Sequence, residues 1–263
     1  MRLCYVNINA EKVSKPYLDF QAKLFRKIAR PDTEIDFKSV SPGLERISDG
    51  HPYFFFLNER SVIERVIEAE KEGYDAVVVG CFLDPGVSVV RGVVNIPVIG
   101  LCESTLHFAC QLGRKFAIIS PDIPSIISAT EDKIRIHGLQ DRAITHPVRG
   151  NTMSFYDIFN KGLQKPEVVA EDIVKNAEKC VEEGADVVIV GCNGLSPFCT
   201  ASGIAKVGEN EIPLIDCVAV GIKTAEMIVD LNKQLGLPFI SRAGFHSLPR
   251  QKDLDRVRAT FGL

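Results

Sequence analysis

The sequence predicts an α/β fold of two pseudo-symmetric, Rossmann-like lobes with parallel sheets and a cleft between them. Strand-like runs of β-branched residues alternate with amphipathic helical stretches, a pattern typical of parallel sheets. One stretch occurs twice, as GYDAVVVGCF at residues 73–82 and as GADVVIVGCN at residues 184–193. Two copies at this scale indicate two similar lobes rather than a solenoid, which needs more repeats.

The first half of the chain begins with an apolar run that predicts a strand, and a helix follows it. The expected buried face of this helix carries Leu18, Ala22, Phe25 and Ala29. A second strand then leads through a loop that contains proline and glycine to an aromatic stretch, Tyr53 to Phe56. The predicted elements are strand 3–8, a helix to about 30, strand 34–40, loop 41–49, helix 57–72 and strand 76–80.

The second half repeats the alternation, and a proline at position 166 suits a helix start. Residues 139–162 show a less regular pattern, and no element bounds are assigned there. The predicted elements are strands 97–101, 116–120 and 212–216, the second repeat strand within 184–193, and helices 104–112, 125–137, 166–183 and 218–235. We expect residues 1–102 with 217–245 to form the first lobe, residues 103–216 the second, and residues 246–263 a C-terminal tail.

Composition excludes several classes of function. Of the 263 residues 46% are apolar, which is enough for a sizeable core. A net charge of −3 gives no basic surface for nucleic acid or an anionic membrane. No apolar run reaches the roughly 20 residues of a membrane span, and the start of the chain is typical of a strand rather than a secretory signal. The expected partner is a small molecule, and the expected location is the cytoplasm.

The eight cysteines are expected to be reduced thiols. No Cys-x-x-Cys pair is present, which argues against a zinc ribbon or a redox site, and no metal is predicted. The sequence also lacks a Gly-x-Gly-x-x-Gly or Walker motif, so nucleotide binding has no local support.

Cys81 and Cys192 occupy the same place in the two repeat copies, after a strand and before a helix. Free cysteines are commonly just buried, and that interpretation is kept for the other six. Ligands of open parallel sheets bind beyond the carboxyl ends of the strands, so the repeated pair is expected to face one cleft from opposite sides. A helix N-terminus would favour the thiolate there.

Two facing thiols suit inversion of a carbon next to a carbonyl. One thiolate removes a proton from one face, and the other thiol delivers a proton to the opposite face. The backbone N–H groups of Phe82 and Asn193 are candidates to stabilise the enolate-like oxygen.

Several motifs, in order along the chain, resemble the aspartate/glutamate racemase superfamily and, within it, the hydantoin racemase branch that includes allantoin racemases. The resemblance covers nearly the whole chain, and the two cysteine motifs are its most specific parts. The matching segments are residues 7–11, 80–86 (GCFLDPG), 99–107, 112–116, 191–194 (GCNG), 216–223 and 241–245.

The resemblance implies a cofactor-independent racemase, expected as a homo-oligomer, with Cys81 and Cys192 as the acid/base residues. It also implies that Asn9 offers its amide to a substrate carbonyl and that Gly194 belongs to the substrate site. Ile47 and Tyr53 are expected in the wall that sets specificity.

The sequence departs from the family's pattern in two places, around Asn9 and shortly after Cys81. Ile8, Ala10 and Glu11 replace a proline, a threonine and a serine, and Leu83 stands where the family usually has glycine. These departures leave the substrate open among 5-substituted hydantoins and allantoin.

Other roles and functions stay open. Asp84 and Asp216 are expected either to orient substrate or to cap helices, while Glu103 and His107 have catalytic and structural explanations. Alternative activities are an amino-acid racemase, or an enzyme resembling arylmalonate decarboxylase or maleate isomerase, in the same superfamily. A two-lobe binding protein without turnover is the non-enzymatic alternative.

Overall fold

The computed structural model describes residues 1–45 and 50–263, apart from the side chain of Val13. The strands are β1 Arg2–Asn9, β2 Glu34–Leu44, β3 Ala76–Val79, β4 Val98–Gly100, β5 Phe116–Pro121, β6 Ala143–Asn151, β7 Val187–Val190, β8 Lys206–Val207 and β9 Ile212–Asp216. The helices are α1 Glu11–Ile28, α2 Pro52–Lys71, α3 Val87–Val90, α4 Leu101–Leu112, α5 Pro124–Ile136, α6 Phe155–Gly162, α7 Pro166–Glu182, α8 Ser196–Ala201, α9 Cys217–Leu235 and α10 Gln251–Thr260.

The strands form two sheets, in the orders β2-β1-β3-β4 and β6-β5-β7-β9-β8. All neighbouring pairs are parallel except the short β8, which runs antiparallel along β9. The repeat strands β3 and β7 hold equivalent places, since each lies beside the first strand of its sheet. The predicted α/β class with parallel sheets is confirmed. The division into lobes at residues 102, 216 and 245 stays a prediction.

The core lies in three layers because each buried strand turns alternate side chains to opposite faces. Leu3 of the first sheet and Ile118 of the second belong to one apolar cluster shared by both sheets. Their neighbours Cys4 and Ile119 point the other way, into clusters on the outer side of each sheet. In the parts of the chain that the structure describes, no helix is long and apolar enough to cross a membrane.

The buried face of α1 differs from the predicted one. Phe25 is buried as expected, but three predicted positions are only half-buried, namely Leu18, Ala22 and Ala29. The buried positions towards the start of the helix are instead Ser14, Tyr17, Gln21 and Leu24. The three polar side chains among them each donate a hydrogen bond, which offsets part of the cost of burying a polar group.

Element boundaries also differ from the predictions, most clearly in residues 41–57 and 139–162. β2 continues to Leu44, through the proline and glycine assigned to a loop, and α2 already begins at Pro52. The aromatic stretch therefore lies within α2, whose start is capped by the His51 side chain accepting the Tyr53 N–H at 3.2 Å. The less regular region 139–162, for which no element bounds were assigned, contains β6 and α6.

The loops after β3 and β7 are held by aromatic rings packed against glycines. A Cβ atom on Gly80 would lie 2.6 Å from the Tyr5 ring, and one on Gly191 would lie 2.8 Å from the Phe82 ring. Real Cβ contacts are essentially never shorter than 3.0 Å. Glycine immediately before each cysteine is therefore required by the packing around it.

We predict that Gly80→Ala destabilises the fold, because the added methyl group meets the fully buried Tyr5 ring and the backbone carbonyl oxygen of Val6. Overpacking of this kind lowers the free energy of unfolding by about 1–3 kcal/mol. Urea denaturation of the variant measures the change. Gly92→Ala is the control, since its nearest neighbour would be 3.3 Å away. Equal stability of the two variants would contradict the prediction.

Candidate active site

Cys81 and Cys192 line the same cavity, which lies at the carboxyl ends of β3 and β7. Cys81 belongs to the turn after β3 and Cys192 to the turn after β7, so each sheet contributes one sulfur. The other lining residues are Ile8, Asn9, Phe55, Gly80, Phe82, Leu83, Pro121, Ile126, Thr130, Gly191, Asn193 and Gly194.

This central cavity adjoins two further spaces. On one side it shares lining residues with a wide groove beside α1 and α6, namely Asn9, Pro121, Asn193 and Gly194. On the other side it meets an outer cavity between α2 and α5, with Phe55, Leu83 and Ile126 at the boundary. The leucine that departs from the expected glycine is therefore a wall of the cavity that holds both thiols.

Four further residues expected at the substrate site lie at this cavity, namely Asn9, Phe82, Asn193 and Gly194. Ile47 lies outside the described residues. Of the aromatic stretch, Phe55 lines the cavity, whereas Tyr53, also considered for the wall, is 58% exposed. The Phe82 side chain is buried at 3% exposure and packs in the shared core, so its ring is part of the structure that supports the site.

The surroundings of the two sulfurs differ from the expected helix N-termini. Turns follow both cysteines, and α3 and α8 begin only at Val87 and Ser196. Burial raises the pKa of the Cys81 thiol to about 12 and that of the Cys192 thiol to about 11. Backbone N–H groups oppose this effect, and that of Gly194 lies 3.2 Å from the Cys192 sulfur. The expectation of a lowered thiol pKa is wrong for this resting site, where both thiols are favoured.

Among the described residues, no charged side chain lines the central cavity. Its polar groups are the two thiols, the amides of Asn9 and Asn193, the Thr130 hydroxyl and the backbone. A neutral ligand with carbonyl and N–H groups suits such a lining better than an ionic one, because a charge without a partner is costly to desolvate.

The two strand-end aspartates cap helices. Asp216 accepts the N–H groups of Val218 and Ala219 at the start of α9. Asp84 accepts those of Cys102 and Glu103 at the start of α4, at 3.0 and 2.8 Å. Capping accounts for both carboxylates without a substrate role.

One group in the described part of the chain brings possible metal-ligand atoms within 4.8 Å of one another, namely Asp84, Cys102 and His137. Both carboxylate oxygens of Asp84 are already engaged by the helix, and burial raises its pKa to about 7. A cation there would have to compete with the start of α4 for this carboxylate.

Glu103 and His107 lie outside the cavity lining. Glu103 forms a bidentate ion pair with Arg91, with a Nη2–Oε2 distance of 2.6 Å. His107 is exposed, and its Nδ1 lies 2.8 Å from the Glu103 carbonyl oxygen. Both contacts favour the structural explanations.

Sequence reasoning did not single out the three residues that hold Asn193, namely Tyr5, Tyr17 and Gln21. Tyr17 and Gln21 are four residues apart and therefore share a helix face. The available signal was this pair of polar residues on one side of α1, but their partner lies too far along the chain to be identified from spacing.

Comparison with known proteins shows the family of the chain. The model of the Asp/Glu/Hydantoin racemase family matches residues 20–225. A hydantoin racemase from Pseudomonas sp. (strain NS671) is 31% identical over 263 residues, which is 100% of this chain and 97% of that protein.

Solved structures of two allantoin racemases share the fold. That from Klebsiella pneumoniae has a TM-score of 0.79 and 23% identity, and the match covers 95% of this chain and 94% of that chain. That from Pseudomonas fluorescens has a TM-score of 0.75 and 24% identity, and covers 95% and 97%. On its sequence match and its two-sheet fold, the chain belongs to the Asp/Glu/Hydantoin racemase family of isomerases.

Proposed function

We propose that this protein racemises 5-substituted hydantoins, or the related cyclic ureide allantoin, without a cofactor, and that Cys81 and Cys192 are its two acid/base residues. The observation that carries the proposal is that both sulfurs line one cavity, each on the turn after an equivalent strand. Its substrate class is supported by three curated relatives named hydantoin racemases, and by the allantoin racemases that share the fold.

In the proposed reaction, one cysteine acts as a thiolate and takes the proton from C5 of the ring. The electron pair of the C–H bond moves toward the adjacent ring carbonyl, and the other thiol gives its proton to the opposite face of C5. The second sulfur is then the thiolate, so the reverse reaction starts from the mirror-image arrangement. The side-chain amides of Asn9 and Asn193, and the backbone N–H groups of Phe82 and Asn193, are the donors proposed for the ring oxygens.

The cavity lining favours this substrate class over a free amino acid. A hydantoin ring is neutral and presents carbonyl and N–H groups, which amides and backbone can pair. The carboxylate and ammonium of an amino acid need charged or strongly polar partners, and the described lining offers no charged side chain. The partner that we propose is the small-molecule substrate. That the protein is a homo-oligomer, that it is located in the cytoplasm, and that it binds neither nucleic acid nor a membrane all stay predictions.

Each of Cys81→Ala and Cys192→Ala should lower the racemisation rate of a 5-substituted hydantoin by about 100-fold or more, because each removes a group that transfers a proton. Polarimetry gives the rate of inversion, and NMR in deuterated buffer gives loss of the C5 proton. The control is Cys110→Ala, a half-buried cysteine of α4 outside the cavity. Normal racemisation by both cavity variants would contradict the mechanism, and loss of carbon dioxide from an arylmalonate would favour a decarboxylase.

The pH dependence should follow the raised thiol pKa values. The reaction needs one thiolate and one thiol, but at neutral pH burial keeps both cysteines protonated. The active fraction therefore increases with pH, and kcat/KM should rise about tenfold per unit between about pH 6 and 9. Initial rates across this range test the sign. A profile already flat at neutral pH would indicate that one cysteine is a thiolate in the free enzyme.

Leu83→Ala should widen the range of accepted C5 substituents, because this side chain separates the central cavity from the outer one. We expect kcat/KM for 5-benzylhydantoin, relative to 5-methylhydantoin, to increase by about tenfold. Phe56→Ala is the control, since Phe56 lines the outer cavity but not the central one, and is 68% exposed. An unchanged ratio in the Leu83 variant would contradict this role.

A further inference from the structure

A buried hydrogen-bond network surrounds Asn193, the residue after the second cysteine. The Tyr5 hydroxyl and the Gln21 amide both donate to the Asn193 side-chain oxygen, at 2.5 and 2.6 Å. The Tyr17 hydroxyl donates to the Asn193 backbone carbonyl oxygen. Tyr5 and Gln21 have no exposed surface, so water does not compete for these bonds.

The network joins the two sheets. Tyr5 lies on β1 and its two helical companions on α1, whereas Asn193 follows β7 of the second sheet. The same Tyr5 ring packs against Gly80, the residue before Cys81. The Tyr5 side chain thus packs against the residue before Cys81 and donates a hydrogen bond to the residue after Cys192.

The two bonds to its oxygen also orient the Asn193 amide. With the oxygen turned toward Tyr5 and Gln21, the NH₂ group is the end left for the cavity that Asn193 lines. A donor in that position can pair with a ring carbonyl of the substrate but not with an N–H group.

We propose that Tyr5 is a positioning residue of the racemase, which with Gln21 holds Asn193 and thereby keeps Cys192 opposite Cys81. The inference rests on the proposed two-cysteine reaction. Tyr5 reaches no reacting atom itself. Its effect is on the distance and alignment between the carbon and the second thiol, to which proton transfer is sensitive.

Misplacement of Cys192 has a distinctive chemical consequence. After the Cys81 thiolate has taken the C5 proton, the carbanion normally receives a proton from Cys192 on the opposite face. If this transfer is slow, the carbanion lives long enough for the new Cys81 thiol to exchange its proton with the deuterated solvent. Cys81 then returns a deuteron to the same face. The product has then exchanged its C5 proton for a deuteron without inverting, and Cys81 is again the thiolate.

The experiment uses Tyr5→Phe, which keeps the ring against Gly80 and removes only the hydroxyl. Each enantiomer of 5-benzylhydantoin is incubated in deuterated buffer, with exchange followed by NMR and inversion by polarimetry. For the wild-type protein the ratio of exchange to inversion should be near one. For the variant it should rise several-fold with the enantiomer whose proton Cys81 removes, and kcat should fall by up to about 100-fold.

Two further variants separate positioning from general destabilisation. Gln21→Met removes the second donor to the same oxygen and should change the ratio in the same direction. Tyr74→Phe is the matched control, because it removes a buried tyrosine hydroxyl that donates to Asp36 at 2.8 Å, away from the cavity. A smaller folded fraction lowers the rate but leaves the ratio unchanged, since only folded molecules turn over.

The outcomes are distinct. An unchanged ratio in both Tyr5→Phe and Gln21→Met, beside a racemising wild-type protein, would overturn the positioning role alone. A wild-type protein that neither exchanges nor inverts any hydantoin or allantoin would overturn the proposed function, and this inference with it. A raised ratio in these two variants but not in Tyr74→Phe supports the proposal.

Discussion

The close packing of aromatic rings against the two glycines that precede the cysteines is the constraint on which the site depends. Neither glycine has room for a Cβ atom, since the Tyr5 ring occupies that space at Gly80, and the Ile118 side chain and Phe82 ring occupy it at Gly191. Phe82 follows Cys81 yet packs against the glycine before Cys192, so the two cysteine turns support each other directly. Because the core is close-packed, a displacement of either ring would also shift the residues that line the cavity.

Burial of the two cysteine turns also determines the protonation state of the thiols. Desolvation favours the neutral thiols and raises the pKa of both cysteines. A cavity without charged side chains among its described lining gives little help to a resting thiolate. In the proposed reaction, the same lining would hold the enolate-like charge in a low dielectric, where amide donors act strongly. These properties favour the proposed substrate, a neutral ring whose carbonyl would become charged only during reaction.

Predictions from local pattern succeeded where the structure is decided locally. Strands β3 and β7 follow from runs of β-branched residues, and the equivalence of Cys81 and Cys192 follows from the repeat itself. The buried face of α1 was predicted wrongly because periodicity treats Tyr17 and Gln21 as exposed polar residues. Their partner is Asn193, 176 and 172 residues further along the chain. Likewise, the capping roles of Asp84 and Asp216 were left open, since a carboxylate's partners depend on the fold.

By itself, the sequence determined the α/β alternation, the two-fold repeat and the identity of the paired cysteines, because these depend on residues that are neighbours in the chain. Only the tertiary structure decided that both sulfurs line one cavity, that Leu83 is one of its walls and that Tyr5 connects the two cysteine turns. The physical reason is separation. The Tyr5–Asn193 bond joins residues 188 positions apart, and no local propensity or spacing encodes a contact that exists only after both sheets have packed together.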